Sequence, residues 1–229
     1  MYPLYFDSTI IILIPAMILA MYAQSKVKSN FSKYLRVRSF KGLTGAEVAK
    51  LLLERNGLHN VKLEQTRKTF SDHYDPTKKT VRLSPEVYSG SSISAISVAA
   101  HEVGHAVQHA KGYAPLRLRT AFHPVANFGS SMAWVFLFAG LLIPSLQSLF
   151  SFGVILFSLA VLFQVITLPV EFDASKRAVA MLGTNGIIIP EEQKGVKDVL
   201  NAAALTYVAA TASAVSQLLR LILLQRRRS

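Results

Sequence analysis

The 229-residue chain contains no cysteine. Disulfides and thiolate-bound metal are excluded, so any metal would have to be held by histidine and carboxylate. Acid is scarce: 13 Asp and Glu stand against 25 Lys and Arg, for a net charge of +12. The most informative absence is local. From Thr120 to Val170 there is no Asp, Glu, Lys or Arg. With 51% hydrophobic residues and a mean hydropathy of +0.35, the chain reads as a membrane protein carrying one modest soluble part. No nucleic-acid-binding signature accompanies the basic charge, and nucleic acid is not an expected partner. The basic residues flank apolar runs instead, which suits anchoring against an anionic lipid bilayer.

The apolar runs set the topology. Ser8–Ala23 is just long enough, with its flanking tyrosines, to span a bilayer. Asp7, where a signal peptide would carry basic residues, argues for a retained span over residues 1–25. Pro15 is expected to kink it. Lys26, Lys28, Lys33, Arg36, Arg38 and Lys41 follow with no acid among them, which places this side in the cytoplasm. The long neutral stretch is divided by Pro144, Ser145, Gln147 and Ser148. It reads as a helical hairpin over 120–170, with spans near Pro124–Ile143 and Leu149–Val170. Lys111, Arg117 and Arg119 before it, and Lys176 and Arg177 after it, put both outer ends on the cytoplasmic side. The one tryptophan, Trp134, falls mid-span in this register and marks no interface. In the last segment, 199–229, Val199–Leu219 is again uncharged and alanine-rich, but Arg220, Arg226, Arg227 and Arg228 follow. A fourth span would carry them outside, so a span and an interfacial helix both stand open.

The soluble part, residues 26–119, begins with a helix over Thr44–Gly57, where Thr44 and Glu47 make a capping box and Gly57 stops it. Val61–Gln65 and Thr80–Leu83 read as the two strands of a small β-hairpin, with Asp72-His73-Tyr74-Asp75-Pro76 as a turn and His73 as a turn residue. A strand edge there can pair with an extended peptide, with Thr80 and Arg82 facing it.

Ser92–Gly112 carries the chemistry. Ser91 or Ser92 caps a helix that Gly112 ends, and within it stands His101-Glu102-Val103-Gly104-His105. Two histidines at i and i+4 share one face and can close on one Zn²⁺. Glu102 lies within reach of a metal-activated water as a general base and then acid. The extended H-E-x-x-H-x-x-G-x-x-H pattern fails, because Gln108 and Lys111 occupy its Gly and His positions. His109 lies on the same straight helix and cannot converge on the ion. Glu171, the first charge after the neutral stretch, is the third-ligand candidate, on the same membrane face as His101. Asp173 points away from it on a helix and is expected to pair with Arg177 at i+4. Tyr74, Tyr88 and Arg177 are candidate oxyanion donors, with none favoured.

Ser71–Pro76, Ala100–His109 and Glu171–Ser175 together resemble the YugP-like neutral zinc metallopeptidases of bacterial membranes, and the likeness extends over nearly the whole chain. More distantly, the pattern is similar to the HtpX and CAAX prenyl protease group, whose third ligand is the Glu of an E-x-x-x-D motif after a membrane hairpin. Glu171 matches that Glu; Ser175 stands where the Asp would be, so that Ser175 or Asp173 is left to orient a ligand histidine. The resemblance implies a mainly α, multi-pass membrane protein with a zincin-like, gluzincin-type helix and three or four spans. It implies one Zn²⁺ per chain on His101, His105 and Glu171, with Glu102 catalytic, acting on a protein or peptide substrate at the cell membrane of a bacterium. A non-catalytic membrane adaptor with a structural zinc is the competing reading, and would need a fourth ligand from His73, His109 or Asp173.

Overall fold

The structure, a computed structural model, describes residues 8–226. Asp7, Arg227 and Arg228, which entered the topology reading, lie outside the described residues. The chain opens with a 3-10 turn, Ser8–Leu13, and continues as α1, Ile14–Leu35. Pro15 sits in the first turn of α1, where its missing N–H has no partner to lose. It therefore starts the helix and does not kink it. α1 runs well past the apolar stretch, carrying Lys26, Lys28 and Lys33 on its extension.

α2, Gly45–Arg55, has the expected capping box: Glu47 N–H donates to Thr44 Oγ1 at 3.2 Å and Thr44 N–H to Glu47 Oε2 at 2.7 Å. Gly57 ends the segment with φ +69°, a left-handed conformation that glycine adopts without steric cost.

The sheet differs from the expected hairpin. It has three strands, β1 (Lys62–Gln65), β2 (His73–Asp75) and β3 (Thr80–Leu83), in the order β1-β3-β2. β1 and β3 pair parallel; β2 and β3 pair antiparallel, with Tyr74 opposite Val81. His73 is thus a strand residue. The turn chemistry belongs a few residues later, where Asp75 Oδ1 accepts the N–H groups of Thr77 and Lys78. β3 is central, so Thr80 and Arg82 do not face a peptide edge. Thr80 is buried, and Arg82 is held by Glu64 at 2.9 Å and Asp75 at 3.1 Å.

After the short α3 (Pro85–Tyr88) come α4 (Ile93–Ala110), α5 (Ala114–Leu142), α6 (Gln147–Thr184) and α7 (Gln193–Arg226). α5 packs on α6, α6 on α7, and α7 on α1, while α4 lies against α2, α6 and α7. α7 runs antiparallel to α6 along its apolar length: Thr211 Oγ1 donates to the Gln164 carbonyl at 3.5 Å, and Gln225 Nε2 to Ser151 Oγ at 2.9 Å. Residues 199–219 therefore belong to a full-length helix of the row. Among the described residues, four helices are long and apolar enough to cross a membrane.

Two cores result. Leu52, Val81, Leu83, Ile96, Val103, Leu182 and Val196 join α2, β3 and α4 to the ends of α6 and α7. Ala133, Leu137, Phe150, Phe157 and Leu221 pack α5, α6 and α7 within the bundle. The first core holds α4 rigidly across the helix that bears Glu171.

Candidate metal centre

α4 begins where Ser92 Oγ accepts the Ala95 N–H at 3.2 Å and ends before Gly112 at φ +61°. Its buried face, including Ile96, Ala99, Ala100 and Val103, faces the soluble core. On the side turned to α6 stands Gly104. A methyl group there would lie 2.8 Å from the Ala174 carbonyl oxygen, so only glycine permits this approach. With the two helices this close, Glu171 meets both histidines. Its Oε2 lies 3.3 Å from His101 Nε2 and 3.6 Å from His105 Nε2. Ligands about 2.0–2.1 Å from one tetrahedral ion stand roughly 3.3 Å apart, so these separations suit a shared metal.

The outer ring nitrogens are also fixed. Gln108 Nε2 donates to the Val170 carbonyl and to Asp173 Oδ2, each at 2.8 Å, which turns Gln108 Oε1 to His105 Nδ1 at 3.0 Å. A carbonyl oxygen only accepts, so Nδ1 carries the proton and Nε2 presents its lone pair to the metal position. Ser175 Oγ stands 3.2 Å from His101 Nδ1 and plays the matching part there. Asp173 pairs with Arg177 at 2.6 Å, the expected i+4 bridge, and reaches His105 only through Gln108. Among the described residues, His101, His105 and Glu171 form the cluster whose ligand atoms, all within 4.8 Å of one another, can hold a metal. The donor set, two neutral imidazoles and a carboxylate, fits zinc.

The competing ligands are engaged elsewhere. His109 Nδ1 is 2.8 Å from Tyr74 Oη, and His73 bonds the Ser71 carbonyl through Nδ1 and contacts Arg82 through Nε2.

The family described as "putative neutral zinc metallopeptidase" matches residues 9–226. A curated relative, "Putative membrane protease YugP" of Bacillus subtilis (strain 168), is 52% identical over 215 residues, covering 94% of this chain and 95% of the relative. The chain belongs to this zinc metallopeptidase family. No solved structure matches it.

The candidate centre opens into a cavity of about 460 Å³. One wall is Asp72, His73, Tyr74, Pro76 and Thr77, from β2 and its flanks; the other is α5, through Leu116, Arg119, Thr120, His123 and Pro124. Glu102 is almost wholly buried at the cavity, and no described side chain or backbone group hydrogen-bonds its carboxylate. Burial pushes Glu102 above the ordinary carboxylate range, against the pull of His101 and His105. Asp72 accepts the Ser84 N–H at 2.7 Å, and Tyr74 is pushed up to about 12 by burial and the charge of Asp75, so its hydroxyl stays protonated beside His109.

Two residues at the centre carry no signal of their own in the sequence. Arg119 Nη1 lies 3.3 Å from Glu171 Oε1, though it reads in sequence only as a topology marker. Tyr207 of α7 lines the cavity with its hydroxyl turned to Glu171, from within an alanine-rich run where a lone tyrosine reads as packing. Of the three candidate oxyanion donors, Tyr74 lines the cavity, whereas Tyr88 and Arg177 do not.

Proposed function

We propose that this protein is an integral-membrane zinc endopeptidase with a gluzincin-type site. His101, His105 and Glu171 hold the metal and Glu102 moves the proton. The observation that carries the reading is the convergence of Glu171 on the H-E-x-x-H helix, with both histidine Nδ1 atoms engaged by Gln108 and Ser175. Three converging ligands favour a catalytic over a structural zinc, because structural sites are closed by a fourth protein ligand.

Zinc bound there supplies Lewis acidity, acidifying water and polarising a carbonyl oxygen. Glu102 accepts the proton from the attacking water at its carboxylate and delivers it to the leaving amine nitrogen. Its raised pKa brings it nearer the working pH, where a carboxyl both takes and gives a proton efficiently. Arg119 and Tyr207, which line the cavity beside Glu171, serve as N–H and O–H donors for negative charge developing on the scissile oxygen. β2 is the edge strand on the cavity, so an extended peptide laid against it adds a strand and passes the metal ligands. The basic flanks support a cytoplasmic-side centre at the membrane surface.

The test is zinc content and cleavage of unfolded casein, measured on detergent-purified wild type and Glu102→Gln. The reading holds if both proteins bind about one zinc and only wild type cleaves. Metal in both with cleavage by neither supports the adaptor reading. A folded protein without metal overturns the centre itself.

A further inference from the structure

A carboxylate that holds a metal can offer one oxygen or both, and the choice decides whether a position stays open for water. At Glu171 the two oxygens have different surroundings. Oε2 lies 3.3 Å from His101 Nε2 and 3.6 Å from His105 Nε2. Oε1 lies 3.3 Å from Arg119 Nη1. The carboxylate is thus divided: one oxygen to the histidines of α4, the other to a guanidinium of α5.

Helix packing produces this division. Glu171 is only 2% exposed, and a buried carboxylate is costly without an opposing charge. α5 packs along α6. Leu116, one turn before Arg119, is buried, and Thr120 and His123 line the cavity, so Arg119 sits on the inward face of α5. Arg117, two residues away, is exposed and outside the cavity lining. Asp72 and Glu102 also line the cavity, yet the ion pair of Arg119 is with Glu171. Tyr207 turns a hydroxyl to Glu171 from α7, but that group is neutral. Simple neutralisation of a buried charge requires no preference between the two oxygens. Arg119 takes the one that the histidines leave.

We infer that Arg119 is a positioning residue for the third ligand: by engaging Oε1 it makes Glu171 a one-oxygen ligand and keeps the fourth position of a tetrahedral site open. The inference rests on the peptidase reading and adds the device that leaves its centre accessible to water and substrate. A guanidinium carries five N–H groups, so one committed to Glu171 leaves others for the scissile oxygen.

Cobalt(II) substitution tests it. Coordination geometry is diagnostic of a metal site, and cobalt(II) reports it by absorption: the visible bands are strong with four ligands and weaken when a fifth enters. Full-length wild type, Arg119→Met, Arg119→Ala and Arg117→Met are purified in detergent, stripped of metal and loaded with cobalt. Helical content and cobalt per chain are measured beside each spectrum. Wild type and Arg117→Met should hold about one cobalt with strong four-coordinate bands. The Arg119 variants should hold the same cobalt with band intensity cut to roughly half or less, as the freed oxygen enters as a fifth ligand. Unchanged bands in the Arg119 variants overturn the inference, and so do weak bands in wild type. Arg119 variants that lose cobalt overturn it too, because Arg119 would then support the centre as a whole. Folded wild type that takes up no cobalt removes the metal centre and the inference together. Casein cleavage by zinc-loaded wild type is a separate readout. Its failure beside the expected spectra removes the peptidase reading and leaves the role of Arg119, and cleavage beside unchanged spectra removes the inference alone.

Discussion

His105 Nδ1 and Gln108 Oε1 stand 3.0 Å apart in a geometry fixed from the far end of the glutamine, where Nε2 is committed to Val170 and Asp173. The glutamine that breaks the longer histidine motif is therefore what orients the His105 ring. Gln108→Leu removes that acceptor at a fully buried position. Zinc affinity should fall about 10- to 100-fold, the usual cost of losing such a partner, with helical content unchanged. Competition with a chelating dye measures it.

Gly104→Ala should act on the same centre by steric displacement. The added methyl meets the Ala174 carbonyl and drives α6 from α4, separating Glu171 from the histidines. The expected result is loss of stoichiometric zinc and a lower unfolding temperature, whereas Gly183→Ala, where a Cβ meets nothing within 4 Å, should leave both near wild type.

Zinc binding to the metal-free protein should weaken as pH falls. Burial disfavours the charged His105 imidazole, but the hydrogen bond and charge of Glu171 outweigh it and hold His105 above its ordinary value. A raised pKa means that the proton competes with zinc to higher pH than on an isolated histidine. Calorimetry in buffers of different ionisation enthalpy should show proton release on binding, largest at acidic pH and fading as pH rises.

Tyr207→Phe removes a hydroxyl from the cavity without removing a ligand. If it donates to the scissile oxygen, kcat should fall on the order of 10²-fold with zinc content and KM little changed. A parallel loss of zinc would instead make Tyr207 a support for Glu171.

The metal helix is legible in the sequence because its signals are local: two caps, an apolar face and the i, i+4 histidines all lie within Ser92–Gly112. Glu171 is legible by contrast, as a lone acid closing a long neutral stretch. β2 is not, because its three residues are flanked by turn formers and its pairing with β3 depends on a register no short window contains. Gln108 reads only as a failed motif position, since its partners lie more than 60 residues away on α6. Arg119 and Tyr207 come to Glu171 through helix packing, which periodicity along one chain does not report.

α6 is one continuous helix of 38 residues, its longer, uncharged part in the apolar bundle and its last turns in the soluble core. Two of the three ligands ride on α4 and the third on this rod. A metal held at that point would rivet the apolar bundle to the soluble core. Whatever tilts α6 moves Glu171 against His101 and His105, so the geometry of the candidate centre follows the tilt of a helix whose other end lies in the apolar bundle.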